Sequence, residues 1–258
     1  MYYVPYEDFA AAVLILARMT ALVVVMPIFG YRTIPVQAKV GLSVLLTIII
    51  FPLAKMGATP ISTQPIELII MFLREIIIGL ILGFAATIVF YGVQMAGQIV
   101  GIQIGFGIIN VIDPVSDVQI SLIGQLNYLI ALLIFLCLDG HMFLIRALVM
   151  SYEYISLGGG GFPAGLVGKM SVMTGAIFDV ALRIAAPIMV TLFITDVVLG
   201  FMARVAPQMN VFLVGFPLKI VVGLLVITLV ISYFPYIFGK LYQLYQEEIV
   251  QIIRIIGH

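Results

Sequence analysis

Long apolar runs separated by short polar or glycine- and proline-rich breaks set the pattern of this chain. Residues 9–29 form a first run of membrane length and close at Met26-Pro27. The loop 30–39 carries Gly30, Arg32, Pro35 and Lys39. A second run, 40–54, is only about as long as a thin or tilted crossing needs, and Pro52, Gly57, Pro60 and Pro65 mark a loop after it. Further runs cover 66–91, 119–138 and 142–155. Residues 170–205 read as one long helix that Pro187 should kink. A turn is expected over 206–219, from Pro207, Asn210, Gly215 and Pro217, and then a last span, 218–239. In the tail 240–257, Leu241, Tyr245, Ile249, Ile252 and Ile256 share one helical face, while Glu247, Glu248 and Arg254 lie off it. Such a face serves a membrane surface, a partner, or packing against its own chain.

Composition turns this pattern into a class. Hydrophobic residues make up 64% and charged residues 9%, with a mean hydropathy of +1.27. Soluble domains carry about 25% charged residues, so the chain is an integral membrane protein. The formal net charge is zero, which removes the electrostatic case for nucleic acid. Cys137 is the single cysteine, so neither an intrachain disulfide nor a cysteine zinc cluster can form. Trp is absent, leaving Tyr and Phe for any aromatic belt. The start, MYYVPYED, has no basic segment and Arg18 interrupts the first run, which argues against a cleaved signal peptide. Basic residues flank several spans, so charge bias does not fix orientation.

The charges inside apolar runs need partners. A basic side chain at a membrane helix centre costs about 2.5–3.5 kcal/mol on insertion scales, so Arg18 should face protein or water. Arg74 and Glu75 are adjacent in the third run and point apart on a helix, so each needs its own partner. Asp179 and Arg183 stand four apart with the acid first, the favourable order. Asp196 and Arg204 are further charges in apolar surroundings.

Gly97, Gly101 and Gly105 recur every fourth residue, and Gly79 and Gly83 repeat the step. Stripes of small residues let helices approach closely in membranes. Then the pattern breaks: Gly105 and Gly107 bracket Phe106, and Asp113-Pro114, Ser116 and Asp117 follow before the next run. Irregular backbone at membrane depth survives only when protein buries it or it lines a water-filled path. The stretch reads either as an ordered loop beside a conduit or as an ordinary polar connection outside the bilayer.

Catalytic signatures are missing. There is no HExxH, GxSxG or P-loop, and the glycines 158–161 form a flexible turn without the Lys-Ser/Thr that a phosphate loop ends on. Asp139 and His141 invite a metal, but the other histidine, His258, is terminal, and a structural histidine is the better reading. No catalytic, cofactor-binding or metal-binding residue is nominated.

Motifs spread along the chain resemble one family. They are Arg18 with Pro27 and Pro35, REIIIGLILGF (74–84), GQIVGIQIGFG (97–107), DP (113–114), Gln119, LDGH (138–141), APIMV (186–190) and RVAPQMNVFLVGFPLK (204–219). In order and together they resemble the FliR family of flagellar type III export proteins, whose injectisome relatives are the SctT proteins. The resemblance implies an all-α membrane protein of long kinked helical hairpins in a helical hetero-oligomer. A P-like part, 1–165, would be joined to a Q-like hairpin, 166–258, that ends in the amphipathic tail. It implies FliP-type and FliQ-type subunits in one complex, FlhB-type and FlhA-type neighbours, and unfolded flagellar subunits as cargo. The place would be the bacterial inner membrane, in the flagellar basal body, and the role an export gate without enzymatic activity or cofactor.

The family's plugging loop falls by position at about 106–117. The resemblance makes Gly105, Phe106, Gly107, Ile108, Ile109, Asn110, Val111, Ile112, Asp113 and Pro114 the expected seal, and the charges Arg18, Arg74, Glu75, Asp179, Arg183 and Arg204 the expected links between subunits. The alternatives are an injectisome gate subunit, a small-solute transporter using Asp113 or Asp196 at a broken helix, and an intramembrane enzyme.

Overall fold

The computed structural model describes residues 5–31, 33–56, 64–106, 121–208 and 210–257. The described residues hold seven helices and no strand: α1 (Tyr6–Val25), α2 (Val36–Met56), α3 (Pro65–Ile104), α4 (Leu122–Cys137), α5 (Gly140–Tyr154), α6 (Ala164–Val205) and α7 (Val211–Gly257). The all-α membrane architecture expected from the apolar runs is present, and five of the helices are long and apolar enough to cross a bilayer. The helices α4 and α5 meet at a 69° bend, where Asp139 takes a left-handed conformation ahead of Gly140.

The helix α3 runs to Ile104, where the small-residue pattern was expected to break. Two helices run past expected breaks: α2 passes through Pro52, and α7 starts at Val211 and holds Pro217, with Pro235 further along. A helix-interior proline costs about 3 kcal/mol, whereas each fully buried Ile or Phe contributes about 1.5–3 kcal/mol. Pro235 lies between buried Phe234 and Phe238, so keeping both on one face outweighs the lost bond. At 1.5 Å per residue, α3, α6 and α7 are each about 60–70 Å long.

Two units form. The first takes residues 1–88, 136–173 and 242–258. Its core is the face of α1 that carries Ala11, Leu14, Ile15, Leu22 and Val23. The expected small-residue step on α3 is what α1 packs on: a Cβ on Gly79 would come within 2.5 Å of the Arg18 carbonyl oxygen, and one on Gly83 within 2.8 Å of Val25. The end of α7 packs into the same unit, with Tyr242, Tyr245, Ile249, Ile252 and Ile256 buried. Of the uses open to the amphipathic tail, this chain shows packing on itself. Lys169 fastens that end through an ion pair with Glu248 and a hydrogen bond to Gln251.

The second unit takes residues 89–135 and 174–241. Phe90 lies at its centre, with the rings of Tyr128, Phe135 and Phe238 at 5.8, 5.3 and 5.6 Å. Here α6 and α7, separated by five residues in sequence, form an antiparallel hairpin. Leu199 lies against Gly215, Asp196 pairs with Lys219, and Leu192 lies against Gly223.

Candidate functional site

The helix α3 ends by a specific device. The Phe106 amide donates to the Gly101 carbonyl at 3.0 Å and the Gly105 amide to the Ile102 carbonyl at 3.1 Å. Gly105 has φ +109°. That pair of bonds with a left-handed glycine is a Schellman stop, so Gly105 sets the backbone where the expected seal begins. Phe106 is half-buried. Gly107, Ile108, Ile109, Asn110, Val111, Ile112, Asp113 and Pro114 lie outside the described residues, as do Ser116 and Asp117.

The chain returns at Ser121, beside the helix it left. The Ser121 hydroxyl accepts the Gly124 amide at 3.1 Å, capping α4, and donates to the Gly97 carbonyl at 3.3 Å. Gly97 leaves no room for a side chain, since a Cβ would stand 2.6 Å from the Gly124 Cα. One on Gly101 would stand 2.9 Å from the Ser121 hydroxyl. The stripe Gly97, Gly101 therefore seats the start of α4 directly on α3, and Gly105 ends α3 one turn later. Both flanks of the 107–120 segment are thus fixed on one helix. Nearby, the Gln103 amide donates to the Met189 carbonyl at 3.1 Å.

The charges sort differently from expectation. Arg18 and Glu75, expected to find partners in other subunits, pair with each other: Arg18 Nε and Nη2 donate to the two Glu75 carboxylate oxygens at 2.5 and 3.0 Å, and both side chains are fully buried. The close α1–α3 contact at Gly79 brings them together. Arg18 Nη1 also donates to the Ser151 hydroxyl at 3.0 Å, and its guanidinium lies 4.1 Å from the Tyr152 ring centroid. The Gly158 amide donates to the same carboxylate at 2.8 Å, and the Gly161 amide to the Ile256 carbonyl at 3.2 Å. The glycine turn is therefore bonded near both ends. Ser151, Tyr152 and Gly158 were not legible as members of this network. The only signal was that a buried arginine needs several acceptors.

Asp179 and Arg183 bond along α6 at 2.9 Å, and both are largely exposed. Arg74 and Arg204 are exposed, with no partner among the described residues. His141 stands on the wall of an apolar groove of about 210 Å³ beside Met26, Leu42 and Ile145.

Residues 9–245 match the family described as bacterial export proteins, family 1. The chain belongs to this family. Members similar to it include the flagellar biosynthetic protein FliR of Bacillus subtilis, 32% identical over 253 residues and 96% of each chain. The protein of the same name from Escherichia coli is 28% identical over 241 residues, 92% of each chain. That of Pectobacterium carotovorum is 28% identical over 239 residues, 91% of each. In this member of the export family the matched region takes in α3 with its Schellman stop, the Arg18–Glu75 pair and the α6–α7 turn.

Proposed function

We propose that this chain is a subunit of the flagellar protein export gate in the bacterial inner membrane, and that the segment from Gly105 to about Asp117 plugs its channel. The observation that carries the reading is the full-length likeness to flagellar relatives, 96% of each chain for the Bacillus subtilis protein. That likeness favours a flagellar over an injectisome setting. The geometry supports the plug: both flanks of the 107–120 segment are seated on one helix, which fixes where the segment leaves and where it returns. Its apolar members, Phe106, Ile108, Ile109, Val111 and Ile112, suit a constriction that excludes water.

The partners in this proposal are FliP-type and FliQ-type subunits, with FlhB-type and FlhA-type proteins adjoining and unfolded flagellar subunits passing through the basal body. Residues 1–165 act as a P-like part and 166–258 as a Q-like hairpin. Helices of about 60–70 Å exceed a hydrocarbon core of about 30 Å, and large apolar side chains stay exposed along them, among them Ile66, Ile69 and Leu80. Neighbouring subunits are the natural cover for apolar surface that a bilayer is too thin to reach. Arg74 and Arg204, and the exposed Asp179–Arg183 pair, are the charges left to meet them. The gate needs no catalytic group or cofactor.

Purification of the full chain in mild detergent tests the assembly, and deletion of 106–117 tests the plug. FliP-type and FliQ-type proteins should co-purify, and the assembled deletion complex should conduct ions or small solutes. A deletion complex that assembles and stays tight would remove the plug assignment.

A further inference from the structure

The α6–α7 hairpin changes surface character at one level, and both helices change together. From Leu182 to the turn, most exposed residues of α6 are apolar, among them the large Val190, Phe193, Ile194, Phe201 and Val205; Ala186, Pro187, Gly200 and Ala203 are small, and the one exposed charge beyond Arg183 is Arg204, beside the turn. On the other side of Asp179 and Arg183 they become mostly small or polar: Gly165, Gly168, Ser171, Thr174 and Gly175, with Val167, Val172 and Phe178 as exceptions. On α7, Leu213, Val221, Leu225 and Leu229 are exposed in the turn-proximal part. Then come exposed Tyr233, Tyr236 and Lys240, and beyond them Gln243, Glu247 and Gln251, with Leu244 as an exception.

The hairpin register brings the two changes to the same level. The contacts Leu199–Gly215, Asp196–Lys219 and Leu192–Gly223 advance in step. Continued along the hairpin, they set Arg183 level with Ser232 and Tyr233, and Asp179 level with Tyr236. From that level to the turn each helix runs about 22 residues, or about 33 Å, close to the hydrocarbon thickness of about 30 Å. Tyrosine and snorkelling cations collect at such borders.

Backbone chemistry gives a second, independent mark. A proline has no amide, so it leaves the carbonyl four residues earlier without its helical donor. Pro187 does this to Arg183, Pro235 to Ile231, and Pro217 to Leu213. Two of the freed carbonyls fall at the tyrosine level and the third beside the turn, so all three lie at the ends of the band. Backbone polar groups without partners are costly in hydrocarbon and harmless in headgroups and water. Inside the band the hydroxyls of Thr191, Thr195 and Thr228 donate to carbonyls of their own helix at 2.8–2.9 Å, which leaves them fit to face lipid.

We infer that the turn-proximal half of the α6–α7 hairpin is a bilayer-thick band facing phospholipid acyl chains, and that the membrane–water border lies at Asp179, Arg183, Tyr233 and Tyr236. Ile104 lies against Gly223, opposite Leu192, so α3 ends about 14 Å inside the border by helical rise, and the segment that begins at Gly105 starts from hydrocarbon depth. The inference stands whether or not that segment is a plug.

Single cysteines in a full-length Cys137→Ser chain test it. They are placed at residues 190, 194, 221 and 225, with references at 175, 236 and 243. The complex that the chain purifies in is reconstituted into phosphatidylethanolamine–phosphatidylglycerol vesicles and spin-labelled. Collision rates with oxygen, which dissolves in lipid, and with a water-soluble nickel chelate then give depth. Oxygen should win several-fold at the four band positions, most strongly at 194 and 221, and the nickel chelate at 175, 236 and 243. Residues 190 and 225, like 194 and 221, share a level on different helices, so each reads the same depth if its partner's label blocks folding. Equal nickel access at 194 and 243 would overturn the inference. So would immobile labels at the band positions that neither reagent reaches, since protein would then cover the face.

Discussion

Arg18 of α1 and Glu75 of α3, 57 residues apart, lie fully buried and share two charge-assisted hydrogen bonds. Ser151 and the Gly158 amide complete their bonding. A buried ion pair is weak evidence of stability, because desolvation offsets much of the attraction, but removal of one partner strands the other. Here the pair works chiefly as a register device: the Glu75 carboxylate of α3 holds α1 and the glycine turn, and Arg18 in turn holds α5 through Ser151.

Replacing one partner should therefore hurt more than replacing both. Arg18→Ala or Glu75→Ala leaves an uncompensated buried charge, at a cost of about 3–5 kcal/mol. Arg18→Met with Glu75→Leu removes both charges and leaves mainly the Gly158 amide unbonded, at about 1–3 kcal/mol. Thermal unfolding of the detergent-solubilised chain should rank both single variants below the double one. A double variant as unstable as the sum of the singles would show that the pair does not act as a unit.

The glycine stripe gives a sharper contrast. Gly97→Val puts side-chain atoms where the Gly124 backbone already stands, so α4 must move off α3 and the return of the 107–120 segment at Ser121 is displaced. Gly168→Ala meets nothing within 4 Å and should be neutral or gain about 0.5–1 kcal/mol from lower unfolded-state entropy. Proteolysis of the two variants in detergent reads the difference: faster cleavage near residue 121 in Gly97→Val, and an unchanged pattern in Gly168→Ala.

Much of this was legible in the sequence because helix packing in membranes reads locally. The spacing of Gly79 and Gly83, and of Gly97 and Gly101, announced close contacts without saying which helix fills them. The stop at Gly105 was also visible, since a left-handed residue after a long apolar run favours glycine. Proline was over-read: Pro52 and Pro217 stay inside α2 and α7, where a loop and a turn were expected. The Arg18–Glu75 pair escaped for a different reason. Opposite charges 57 residues apart carry no periodic signal, and a charged residue in an apolar run reads equally as a contact within the chain or with a neighbour.

Gly105→Ala should expose the role of that stop. At φ +109° a Cβ is strained by about 1–2 kcal/mol, so α3 unwinds at its end or reaches past residue 105. Global stability should fall by no more than that amount. If the segment after Gly105 seals a channel, ion conductance through the assembled complex should rise in this variant and stay unchanged in Gly168→Ala. A tight Gly105→Ala complex would mean that the position of the helix stop does not control the seal.

Lys219 and Asp196 offer a test of depth that needs no label. Their ion pair, 2.5 Å long, joins α7 to α6 inside the apolar band. An exposed pair in water contributes about 0–1 kcal/mol, so in that setting Asp196→Asn would change little. At hydrocarbon depth the same substitution strands a lysine, at about 2.5–3.5 kcal/mol on insertion scales. Exchanging the two, Asp196→Lys with Lys219→Asp, restores a neutral pair in either setting. Thermal stability of the vesicle-embedded complex should thus drop clearly in Asp196→Asn and return most of the way in the exchanged variant. A single-variant loss below about 1 kcal/mol would place the pair in water. It would also break the bilayer-thick band, because the pair lies within it.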